Sequence, residues 1–146
     1  MFYGEFEHSL DNKGRIIIPS KFRTAMKDNY IEKFFVTRGL DTCLFMFTES
    51  EWQQQENKFK TMSFTKKQSR QFNRLFFSGA VDLVTDKQGR ILIPKYLTDY
   101  ALIKKDIRIV GVSNRIEIWA KEKWEEFYNN TMGSFEDIAE NLMELD

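Results

Sequence analysis

Cysteine and histidine occur once each, as Cys43 and His8. One cysteine cannot close an internal disulfide, and one Cys with one His cannot complete a four-ligand zinc site. A lone thiol also suits a reducing compartment. No apolar run approaches the ~18–20 residues that a membrane span needs. The opening MFYGEFEHSLDNKGR lacks the basic and apolar blocks of an export signal, so a cytoplasmic chain without a membrane partner is expected. The spacings G-x-x-x-x-G-K-[ST], G-x-G-x-x-G and G-x-S-x-G are all missing. His8 sits on a predicted strand and reads as a surface or packing residue, and Cys43 reads as a small buried hydrophobe. No cofactor, no metal and no enzymatic chemistry is therefore expected.

Net charge is lacking too: 22 Lys and Arg balance 22 Asp and Glu. Taken alone, that argues against a nucleic-acid partner. The distribution is uneven, however. Residues 1–75 carry 13 basic against 9 acidic side chains, and residues 76–146 carry 9 against 13. Between positions 10 and 38 stand Lys13, Arg15, Lys21, Arg23, Lys27, Lys33 and Arg38, whereas the ending SFEDIAENLMELD has five acids and no base. Such an asymmetry is either two ordinary solvated faces or a basic lobe joined to an acidic tail.

What the chain has in plenty is aromatic residues, 15% with 14 Phe, and a sentence it says twice. DNKGRIIIP at 11–19 returns as DKQGRILIP at 86–94. Upstream, Phe2 and Gly4 fall on Phe77 and Gly79; downstream, after a slip of three residues, Gly39, Leu44, Phe47 and Trp52 fall on Gly111, Ile116, Trp119 and Trp124. The chain reads as an internal duplication. Four segments are expected: a first repeat with its following helix at 1–60, a helical linker at 61–76, a second repeat with its helix at 77–131, and an acidic C-terminal helix at 132–146.

Each repeat predicts strand, tight turn, strand, short helix, two strands and a longer helix. EFEHSL alternates as a half-buried strand does, and RIIIP and RILIP are β-branched runs stopped by proline. SKFRTAM and KYLTDYA follow as short helices. FFVTRG, CLFMF, IRIVGV and RIEIW supply the remaining strands. Thr48 with Glu51, and Thr65 with Gln68, have the spacing of capping boxes. Phe72, Leu75 and Phe76, then Trp124, Phe127 and Tyr128, then Phe135, Ile138, Ala139 and Leu142 recur at helical spacing. All three stripes are expected in the core. Units of about sixty residues bury little surface alone, so two of them should fold against each other around a pseudo-twofold axis.

The turn itself is mostly explained by folding. Asp at the start of a type I turn bonds the backbone two residues on, and the glycine accepts the left-handed conformation that follows. That accounts for Asp11, Gly14, Asp86 and Gly89; a buried strand accounts for the isoleucines. Arg15 and Arg90 remain. Each can pair with its own turn aspartate, and such a pair would also hold a guanidinium ready for guanine O6/N7 or for phosphate.

These residues carry a resemblance. The repeated D-x-x-x-R turn, β-branched strand and proline resemble the AbrB/SpoVT swapped-hairpin DNA-binding fold. Its tandem form across nearly the whole chain, through to RIEIWAKEKW, resembles the MraZ family of bacterial transcriptional regulators. The implied fold is α+β with a mainly β core: two tandem AbrB/SpoVT-like swapped-hairpin units forming a pseudo-twofold barrel with flanking helices. The implied function is repression of the division and cell-wall gene cluster by a nucleoid-associated, ring-shaped homo-oligomer. Such a ring would bind G-containing direct repeats of double-stranded DNA in its own promoter. Residue by residue, Asp11 and Arg15 match the first motif, and Asp86 and Arg90 the second. The charge distribution favours the first turn, with Lys13, Lys21 and Arg23 beside Arg15; Lys87 flanks the second. A ring-forming interaction scaffold without DNA specificity is the alternative, and an enzyme stands a distant third.

Overall fold

In the computed structural model residues 1–28 and 33–144 are described. The first repeat runs β1 (Phe2–Ser9), β2 (Arg15–Ile17), α1 (Ser20–Asp28), β3 (Lys33–Arg38), β4 (Leu44–Thr48) and α2 (Glu49–Lys60). Helix α3 (Lys67–Ser78) leads to the second: β5 (Val81–Val84), β6 (Arg90–Leu92), α4 (Lys95–Tyr100), β7 (Asp106–Ser113), β8 (Arg115–Ala120) and α5 (Lys121–Thr131). A 3-10 turn (Met132–Ser134) then connects to α6 (Phe135–Glu144). The expected order of elements is present in both repeats.

Pairing is where the two repeats become one molecule. The main sheet is antiparallel, in the order β1-β7-β8-β4-β3-β5, and β2 pairs separately with β6. Exchanging each strand for its counterpart in the other repeat reverses that order onto itself, so a pseudo-twofold axis passes between β8 and β4. The two tight turns do not build local hairpin ladders. Strand β1 pairs with β7, from Phe2↔Ser113 to Ser9↔Asp106, and β5 pairs with β3 of the first repeat. Each repeat thus lends its opening strand to the other, and the result is a mixed α+β fold with a mainly β core and flanking helices.

Alternation along the central strands explains the two hydrophobic layers. Phe34, Val36, Leu44 and Met46 point to one side, where they meet Ile107, Ile109, Ile116 and Ile118. The β2–β6 ribbon closes this layer with Ile16 and Ile91, and Ile18 and Ile93 follow just past its strands; α1 adds Phe22 and Met26, and α4 adds Leu97, with Ala101 at its C-cap. On the opposite face Phe47, Trp52 and Phe76 form a second cluster under α2 and α3. Trp52 stacks between Phe35 and Phe76 at ring separations of 5.2 and 5.5 Å. Cys43 is buried as expected, and burial pushes its thiol well above the usual range.

Three local expectations need correction. Thr48 does cap α2, its hydroxyl accepting from the Glu51 N–H at 3.3 Å, but Thr65 does not cap α3. Its hydroxyl bonds that of Ser63 at 2.7 Å instead, and its carbonyl is engaged by the Arg70 guanidinium. The stripe on α6 is a helix face but not core: Phe135, Ile138 and Leu142 are exposed, as are Leu75, Phe127 and Tyr128. Helical spacing identifies the face that wants cover without saying that this chain supplies it. Ile17 is exposed although its neighbours in the same run are buried, because a strand one ribbon thick has an outside.

Candidate nucleic-acid interface

The two repeated turns are chemically alike down to their hydrogen bonds. Asp11 Oδ1 accepts from the backbone N–H of Lys13 and of Arg15, both at 2.9 Å. Its Oδ2 accepts from Arg15 Nε at 2.7 Å. Asp86 repeats the pattern with Gln88, Arg90 and Arg90 Nε at 2.9, 2.9 and 2.8 Å. Gly14 and Gly89 sit at φ of +83° and +77°, which a side chain would strain. The aspartate therefore does two jobs: it ties the turn, and it fixes the plane of the arginine by a single edge. Among the described residues neither Nη of Arg15 or Arg90 has a hydrogen-bond partner, so the outer fork of each guanidinium is free to donate.

These bonds stabilise the ionised aspartate. Backbone donation from Arg15, followed by the Arg15 guanidinium and the Lys13 N–H, pulls the Asp11 carboxyl down from 3.8 to about 2. Asp86 is lowered by the same arrangement, with the Arg90 N–H foremost. Because the folded value lies below the unfolded one, this contribution is fully present above about pH 4 and is lost as pH falls through about 2. The Asp11 carboxyl carbon, followed by NMR, should titrate near pH 2. A midpoint near 4 would mean that the clamp on Arg15 is not formed in solution.

The ribbon register brings the arginines together. Arg15 lies opposite Leu92, Ile16 opposite Ile91, and Ile17 opposite Arg90. Opposed residues share a face, and so do residues two apart on one strand. Arg15, Ile17, Arg90 and Leu92 therefore occupy one side of the ribbon, with Ile16 and Ile91 pointing inward to the core. The two arginines are diagonal neighbours, about 7–8 Å apart at Cα.

Basic flanks are shared across the repeats rather than kept within them. A side chain at Gly89 would meet Arg23 Cδ at 2.5 Å, so Arg23 lies over the second turn and not beside the first. The exchange of ribbon strands is the reason, since α1 follows β2 to the far side. The first turn is instead flanked by Lys95, Lys104 and Lys105, which line a shallow depression with Asp11 and Lys13. Nothing in the local sequence marks those lysines; only the pairing of β2 with β6 does. Lys21, Lys13 and Lys87 are exposed, the first on α1 and the others on the turns. His8 is half-buried on β1, and burial together with nearby Arg23 lowers its pKa.

Among the described residues no group of His, Cys, Asp and Glu is placed to hold a metal ion, and no helix is long and apolar enough to cross a membrane. Two exchanged strand–turn–strand units, each presenting an aspartate-held arginine on a shared ribbon, define the class: a tandem swapped-hairpin protein. The family model described as "MraZ protein, putative antitoxin-like" matches residues 1–75 and again 76–146. The chain belongs to the MraZ family, a family of transcriptional-regulator type.

Proposed function

We infer that this protein is a sequence-specific DNA-binding regulator, acting as a repressor in the cytoplasm at the nucleoid. Its target is G-containing direct repeats in its own promoter, ahead of the division and cell-wall genes. The observation that carries this reading is the outer ribbon face, where two partly buried, pre-oriented guanidiniums stand beside exposed Ile17 and Leu92. A two-stranded ribbon fits the major groove, where an arginine fork matches guanine O6/N7. A Cα spacing of about 7–8 Å corresponds to roughly two base-pair steps of ~3.4 Å, so both forks can address one short run of bases. Lys13, Lys21, Lys87 and Arg23, with Lys95, Lys104 and Lys105, supply phosphate contacts around them. Asp11 and Asp86 position the arginines and do not touch DNA themselves.

A single ribbon makes few phosphate contacts, so affinity is expected to come from several ribbons on one ring. Tethering raises avidity by ~10²–10⁴ without new contacts. Fluorescence anisotropy on a duplex from upstream of the protein's own gene tests the reading. Binding should weaken steeply between two salt concentrations and be poor on a lone repeat. Equal affinity for unrelated duplexes would instead favour an interaction scaffold.

The ring is supported by what α6 leaves open. Phe135, Ile138 and Leu142 form an exposed stripe edged by Glu136, Asp137, Glu140 and Glu144, with no base on the helix. Helix α3 of the first half carries Lys67, Arg70 and Arg74 beside exposed Leu75. An acidic apolar helix meeting a basic apolar one is a head-to-tail contact, which closes into a ring when the rotation permits. A chain ending at Gly133 should sediment as smaller species. An unchanged mass would remove α6 from the subunit contact.

A further inference from the structure

The outer face of the β2–β6 ribbon holds two side chains that neither the fold nor the guanidiniums use. Ile17 is 43% exposed and Leu92 54%, whereas Ile16 and Ile91 beside them are each 1% exposed. The core is complete on the inner side without them. A lone exposed aliphatic residue needs no explanation. These two stand at equivalent points of both repeats, two residues after each arginine, and each directly opposes the other repeat's arginine. The four outward positions thus form two crossed diagonals, one cationic (Arg15 and Arg90) and one apolar (Ile17 and Leu92).

Cross-strand neighbours stand about 4.5–5.5 Å apart at Cβ, between one and two base-pair steps of ~3.4 Å, within reach of the next base for a side chain as long as Ile or Leu. If an arginine fork lies on guanine, the aliphatic residue opposite it is carried over the adjoining base pair. Along the major-groove edges of the four standard bases only one apolar group is on offer, the C5-methyl of thymine. We propose that Ile17 and Leu92 form an apolar subsite for the methyl group of a thymine next to the arginine-read guanine. The proposal rests on the DNA-binding reading above. It gives the ribbon a preference for a T adjoining the G, contributed by residues with no charge and no hydrogen-bonding group.

Replacing thymine by uracil removes that methyl and leaves the pairing edge intact. The full-length protein is titrated by anisotropy against its own upstream duplex, with each guanine-adjacent thymine replaced by deoxyuridine in turn. One substitution should weaken wild-type binding about four-fold, the value of one buried methyl. In the Ile17→Ala/Leu92→Ala double variant the loss on thymine duplex should be similar and the uracil effect should vanish. Circular dichroism and sedimentation check that this variant keeps its fold and assembly; its exposed positions make both expected. Wild-type affinity indifferent to uracil overturns the proposal. So does a uracil effect that persists undiminished in the variant, because another group then reads the methyl. A change of assembly mass in the variant assigns the face to a subunit contact and also overturns it. Failure of the wild type to bind any duplex, with Arg15→Ala and Arg90→Ala equally inert, overturns the DNA-binding reading itself.

Discussion

Arg15→Ala and Arg90→Ala should each weaken binding to the upstream duplex by about 5- to 150-fold, the range set by ~1–3 kcal/mol for a bidentate arginine–guanine contact. The two losses are expected to be similar. Charge counting along the chain favours the first turn, but the folded molecule gives the two turns the same hydrogen bonds and the same ribbon face. Lysine at either position keeps the charge and gives up the planar fork, so it should restore phosphate-driven binding and not the preference for guanine. Anisotropy on matched and guanine-depleted duplexes separates these effects. Binding lost only with Arg15 would mean that the flanking lysines, not the ribbon, select the working turn. Binding unaffected by both changes would return the arginines to their turns as purely structural residues.

The second large effect concerns the core beneath the ribbon. Phe22 is 1% exposed and packs edge-on against Phe2 and Phe6 at 5.3 and 5.1 Å. Those rings come from β1, whose ladder partner β7 belongs to the other repeat. Phe22→Ala leaves a cavity where α1 of the first repeat holds a strand lent to the second, and should cost about 3–5 kcal/mol. That is a large share of the ~5–15 kcal/mol by which such domains are stable. Urea unfolding should show the loss as a lower midpoint, while Ile17→Ala should shift stability by less than about 0.5 kcal/mol. A mild effect for Phe22→Ala would mean that β1 and α1 are not pinned to each other as their rings imply.

Much of this was written plainly in the chain. The duplicated motif, the eight strand segments and the Thr48 cap could all be placed by spacing, because period and turn chemistry are local properties. Partnership is not. Nothing in RIIIP says that its ladder partner is RILIP 75 residues away, and without that fact Arg23 reads as a neighbour of the first turn. Lys104 and Lys105 escape notice for the same reason. A run of three isoleucines reads as buried throughout, yet alternation must turn Ile17 outward once the strand is known to lie in a thin ribbon. The α6 stripe predicts a helix from its own residues but takes its cover from elsewhere.

The exchange of opening strands also sets a timetable for the newborn chain. Phe2 pairs with Ser113, so β1 leaves the ribosome long before its partner exists. At about 5–20 residues per second the delay is on the order of 5–20 s. Throughout it, a strand carrying Phe2 and Phe6 has no ladder to join. Strand β5 suffers no such wait, since β3 is already made when it appears. The two ends of the sheet, equivalent by symmetry, are therefore completed in a fixed order, and β1 is the strand that must stay soluble while it waits.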